Sequence, residues 1–67
     1  MFVYNIDILQ ELKNKGYNTN ILRKEKLLSE QTIQNIRNNK IVGIIALDNI
    51  CNMLQCQPNH VIKHIPD

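Results

Sequence analysis

Residues 18–40 read NTNILRKEKLLSEQTIQNIRNNK. Two helix starts are written into this stretch. Asn18 has a side-chain oxygen that can accept a bond from a free backbone N–H one turn on, so it predicts the cap of a short helix over about Thr19 to Lys26. Leu22 turns inward on that helix. Leu27 and Leu28 cross to a second capping residue, Ser29, which opens a helix over Glu30 to Asn38. Ile33 and Ile36 sit three apart on its buried side, while Glu30, Gln31, Gln34 and Asn35 face out. Asn38, Asn39 and Lys40 form a polar turn, and Asn39 is the residue expected to take a left-handed backbone there.

Working outward, the pattern continues in both directions. A first helix is predicted over about Ile6 to Lys15, with Ile8, Leu9 and Leu12 on one face. Gly16 closes it. A fourth helix is predicted over Ile44 to Leu54. Ile44, Leu47, Cys51 and Leu54 repeat at helical spacing with Ile50 beside them. The expected core therefore includes Ile33, Ile36, Ile44, Leu47, Ile50 and Leu54. Pro58 suits the first turn of a last short helix, Pro58 to Ile62. Phe2-Val3-Tyr4 is extended and can pair with Lys63 to Ile65. The fold class is all-α: a compact helix-turn-helix domain of four to five helices, with that short extended N-terminal segment against the C-terminal end. Tyr4 and Tyr17 are read as packing residues with a wet hydroxyl.

Sixty-seven residues make one domain, 1–67, with a small core and marginal stability. Hydrophobic residues at 43% exclude a disordered tail. A net charge of +2 permits nucleic acid without announcing it, so the positions of the charges must decide. No stretch approaches the roughly 18 to 20 apolar residues of a membrane span. The start has no basic region followed by an apolar run, so no leader is expected. The expected location is cytoplasmic, with Cys51 and Cys56 reduced.

Two short helices joined by a tight turn, the second polar on its outside, form a DNA-reading unit. The major groove admits one α-helix and shows a distinct donor and acceptor pattern for each base pair. Gln31, Thr32, Gln34 and Asn35 supply short polar side chains for that groove, and amides match the N6 and N7 edge of adenine. The free N–H groups near Asn18 and Thr19 can hold a phosphate, and Lys40 can hold another.

These residues resemble the Cro and lambda-repressor (XRE-type) helix-turn-helix family, and within it the short stand-alone members. The resemblance is carried by Asn18 to Leu22, by Leu28 to Lys40, and by Leu47 to Pro58, with Thr32-Ile33, Ile36-Arg37-Asn38 and Lys40 as its signature. It implies five helices, of which the second and third are the helix-turn-helix. Carried over by position, it implies base contacts from Ser29, Glu30, Gln31 and Asn35, and phosphate contacts from Asn18, Thr19, Asn38 and Lys40. Thr32 can serve either set and is placed with the base contacts. The chain departs from the family at Arg23, where a small residue is usual, and at Leu27 and Asn39, where Gly is frequent. His60 stands where an acid is frequent.

The expected function is a sequence-specific, double-stranded DNA-binding transcriptional regulator of repressor type, acting as a homodimer on a two-part site. His60 to Ile65 and Phe2 to Tyr4 are the candidate dimer surfaces. No cofactor, metal, membrane or small-molecule ligand is expected, and no enzyme activity. There is no Gly-rich phosphate loop, no Ser/His/Asp set and no paired carboxylates. Cys51-x4-Cys56-x3-His60-x3-His64 offers four plausible zinc ligands within fourteen residues. In a zinc finger a much longer run separates the Cys pair from the His pair, so a zinc site is set aside. The alternative on the same fold is a protein-interaction module, such as an antitoxin or regulator subunit. An apolar patch beside helices two and three would favour it, and a positive strip there would favour DNA.

Overall fold

Asp7 decides where the first helix begins. Its backbone is extended and its carboxylate accepts the Gln10 N–H at 3.3 Å, so α1 spans Ile8–Asn14 and starts two residues later than the periodicity suggests. The computed structural model describes all residues, Met1–Asp67. Gly16 follows α1 at φ +93°, a backbone that L side chains rarely adopt.

Asn18 and Ser29 cap as expected. Asn18 Oδ1 accepts the Ile21 N–H at 2.9 Å and opens α2, Thr19–Lys24. Ser29 Oγ accepts the Thr32 N–H at 3.1 Å and opens α3, Glu30–Arg37. α2 ends two residues short of Lys26 because Lys26 itself is left-handed, at φ 54°. Leu27, where the family often has Gly, is half-buried, and Lys26 meets the conformational demand of the turn. Asn39 is left-handed at φ 59°, as its residue type predicts.

α4 spans Ile44–Leu54 and α5 spans Pro58–Val61, with Pro58 in its first turn. Ile62 is already extended, which ends α5 one residue early. The chain ends are tied by a small sheet, so the fold is helical with one two-stranded addition. β1, Phe2–Tyr4, runs antiparallel to β2, Ile62–His64, with Val3 opposite Lys63. β2 lies one residue earlier than the sequence suggested, because α5 gives way to extended backbone at Ile62. Asn5 fastens the corner: its N–H bonds the Val61 carbonyl at 2.8 Å and its side chain donates to Asn59 and Ile62 carbonyls.

Eleven apolar side chains form one core, and none of the buried residues is polar. Leu12, Leu22, Ile33, Ile50 and Val61 are fully enclosed. Ile44 is a correction to the expected core: it is 79% exposed, and Ile45 beside it is 77% exposed. Both lie in the first turn of α4, beyond the reach of any covering element. Leu47, Ile50 and Leu54 carry the buried stripe. No helix is long and apolar enough to cross a membrane.

Candidate nucleic-acid interface

The outward face of α3 is organised by hydrogen bonds among its own side chains. Ser29 Oγ and Thr32 Oγ1 lie 2.9 Å apart, so the cap also orients the Thr32 hydroxyl. Gln31 Nε2 donates to Asn35 Oδ1 at 3.0 Å. That bond joins two amides on successive turns and leaves Gln31 Oε1 and Asn35 Nδ2 free. An acceptor and a donor side by side are what an adenine edge requires.

Glu30 is bound differently. Arg23 reaches across the turn from α2, with Nε 2.5 Å from Glu30 Oε2 and Nη2 3.2 Å from Oε1. Gln34 Nε2 adds a bond to Oε1 at 3.3 Å. The Arg23 hydrogen bond, and then that of Gln34, hold the Glu30 carboxyl below the usual carboxylate range. Arg23, which stands where the family usually has a small residue, and Glu30, an acid on the side that would face phosphate, are partners.

The start of α2 lies near the end of α3. Asn18 and Thr19 border one depression with Asp7, Gln10, Lys13 and Arg37. The sequence placed Asn18 and Thr19 there alone. Lys13 and Arg37 were missed because their meeting depends on three helices coming together, which no local pattern encodes.

Lys40 sits on a held loop. Its N–H bonds the Asn35 carbonyl at 2.8 Å, and its own carbonyl accepts the Tyr4 hydroxyl at 2.6 Å. The same hydroxyl accepts the Val42 N–H at 3.2 Å. Tyr4 is therefore a clamp on the turn after α3, and its hydroxyl is engaged, contrary to the wet tip expected from sequence. Burial raises its ionisation above the ordinary tyrosine value, partly offset by the Val42 bond. Asn38 caps the C-terminus of α3 and is exposed.

Charge is uneven along the chain. Residues 18–40 hold Arg23, Lys24, Lys26, Arg37 and Lys40 against Glu25 and Glu30, a surplus larger than the +2 of the whole chain. One apolar feature adjoins it. Ile44 and Ile45 border a groove with Leu27, Ser29 and Thr32, between the starts of α3 and α4.

The four candidate zinc ligands do not gather. No three His, Cys, Asp or Glu side chains stand where they could hold one ion. His64 lies against Phe2, with ring centroids 5.1 Å apart, and its Nε2 is 3.2 Å from the amino terminus. Cys51 and Cys56 are free and half-buried. Burial pushes the Cys51 thiol up, away from the thiolate that metal binding or nucleophilic chemistry needs.

Residues 7–67 match the family model of the Cro/C1-type helix-turn-helix DNA-binding domain. Searches of curated proteins and of solved structures returned no match. The match covers all five helices and β2, and it includes both caps, the Arg23–Glu30 pair and the Lys40 loop. The chain belongs to the Cro/C1-type helix-turn-helix DNA-binding domain family.

Proposed function

We propose that this chain is a sequence-specific, double-stranded DNA-binding regulator of transcription that seats α3 in the major groove. The observation that carries the reading is the outward polar face of α3, on which Ser29 and Gln31 are exposed and Thr32 and Asn35 half-buried. A capped helix start presents Ser29, Gln31, Thr32 and Asn35, and cations stand at the opposite end of the helix. Ser29, Gln31, Thr32 and Asn35 read base edges, with the bonded Gln31–Asn35 pair as the principal reader. Glu30 joins them at the rim, as the acceptor that Arg23 orients. Asn18, Thr19, Asn38 and Lys40 hold phosphates, assisted by Lys13 and Arg37. A homodimer reads a two-part site, since one module makes few contacts. Its role is that of a repressor in the cytoplasm, and it has no catalytic step.

Two single variants separate readers from holders. Asn35→Ala is expected to cost about 1 to 3 kcal/mol on the cognate site and to relax preference at one base pair. Lys40→Ala is expected to weaken every sequence alike and to lower the salt slope by about one. Binding isotherms on cognate and scrambled duplexes at several salt concentrations check both. Equal loss on all sequences for Asn35→Ala would move that residue to the phosphate contacts.

The exposed Ile44 and Ile45 favour a second reading, a protein partner seated beside α3. Ile44→Asp/Ile45→Asp would abolish such a partnership while leaving the polar face of α3 intact.

A further inference from the structure

β1 lies ahead of the matched residues 7–67, and it has no strand neighbour on the side away from β2. The hydrogen-bond pattern fixes which groups face outward. Ile65 N–H bonds Met1 C=O, and Asn5 N–H bonds Val61 C=O, on either side of the Val3–Lys63 pair. In an antiparallel ladder, bonded pairs alternate with non-bonded ones. Met1–Ile65, Val3–Lys63 and Asn5–Val61 are therefore the bonded positions. The N–H and C=O groups of Phe2 and Tyr4 point away from β2. No other backbone or side-chain group of the chain bonds them.

The two edges of this sheet differ. β2 carries Lys63 and His64, its Ile62 carbonyl accepts from Asn5, and Pro66 follows it. Those are features that keep an edge from pairing. β1 reads Phe-Val-Tyr, with no charge, proline or bulge. Around it stand the exposed apolar groups Met1, Phe2 and Ile65. Phe2 is 54% exposed.

We propose that the outer edge of β1 pairs with the same edge of a second copy, as an antiparallel ladder centred on Val3. The pattern is self-complementary. A two-fold through Val3 sets Phe2 opposite Tyr4 of the second copy, and Tyr4 opposite its Phe2. Each such pair exchanges both N–H and C=O bonds, so all four outward groups of each copy are used. Val3 then meets Val3 at the non-bonded position, where side chains come closest. A shift of register in either direction leaves one bonded residue without its match. The two-fold stands normal to the sheet, so both helical bodies remain on the same face of the joined sheet, the face toward which Tyr4 points. A two-part DNA site needs its two reading helices on one side, and in that sense the pairing rests on the DNA reading. The edge is short, which makes the dimer weak and concentration-dependent.

Val3→Glu tests the pairing with little cost to the monomer. Within one chain the carboxylate faces Lys63, which supports the ladder, whereas across the two-fold it faces a second carboxylate. Val3→Thr is the uncharged control. Sedimentation equilibrium should show wild type and Val3→Thr dimerising with concentration, and Val3→Glu monomeric with an unchanged circular dichroism spectrum. Amide exchange in concentrated wild type should be slowed about tenfold or more at Phe2 and Tyr4, and this protection should vanish in Val3→Glu. A wild type that stays monomeric at NMR concentrations would overturn the pairing. So would a dimer that survives Val3→Glu with Phe2 and Tyr4 amides unprotected. A monomer that still selects a single half-site would leave the DNA reading standing while removing the edge.

Discussion

Arg23 and Glu30 show how a residue changes meaning once its neighbour is known. Read singly, Arg23 crowds a helix position that usually holds a small side chain, and Glu30 sets an acid against phosphate. Together they form a two-bond bridge that ties the end of α2 to the start of α3. Both side chains remain substantially exposed, so solvent screens the pair and its stabilising effect is small. Its larger effect is on charge. Glu30→Gln is expected to release Arg23 toward a phosphate, which raises DNA affinity and steepens the salt slope by about one. An unchanged slope would show that Arg23 does not reach DNA. The pH sense follows from the lowered Glu30 carboxyl: the bridge is complete above the ordinary glutamate value near 4.5 and is lost as pH falls through the lower folded value. The caps at Asn18 and Ser29 were legible in the sequence because a cap acts within three residues. The Arg23–Glu30 bridge spans seven residues across a turn, and its geometry depends on how that turn closes at Lys26 rather than Leu27.

Elements meet at two places that periodicity could not show. The first is the clamp from β1 to the loop after α3, where residues 36 apart in sequence share a hydrogen bond. Tyr4→Phe is expected to cost about 1 kcal/mol, as Lys40 C=O and Val42 N–H turn to water. The same variant should weaken DNA binding on all sequences through a looser Lys40. Burial keeps the Tyr4 hydroxyl protonated beyond the ordinary value near 10. Wild-type stability is therefore full below that value and is lost as pH rises through the higher folded one, a step that Tyr4→Phe should lack. Denaturant titrations on either side of pH 10 measure both effects, and an alkaline step retained in Tyr4→Phe would exclude Tyr4 as its source. The second place is the start of α4. Helical spacing put Ile44 on the buried stripe, yet it is exposed, because spacing identifies a face of a helix and not how far along that face the neighbouring helices extend.

At the scale of the whole molecule, eleven core residues hold five helices and a two-stranded sheet together. So small a core leaves apolar groups outside, Ile44 and Ile45 beside α3, Ile41 on the loop after it, and Met1, Phe2 and Ile65 at the joined chain ends. The order of helices, both caps and the polar face of α3 were readable from residues 18–40, where the signals are local. The depression that joins Lys13 and Arg37 to Asn18 and Thr19 was not, since it is made by packing. The most direct measurement is selection of bound duplexes from a random DNA library at about 0.1 to 0.2 M salt, where nonspecific attraction is weakened. Wild type runs beside a Gln31→Ala/Asn35→Ala double variant, with the folding of both checked. DNA reading by α3 predicts an enriched two-part motif for wild type that the double variant does not recover. No enrichment by folded wild type, or the same motif from the double variant, would contradict it.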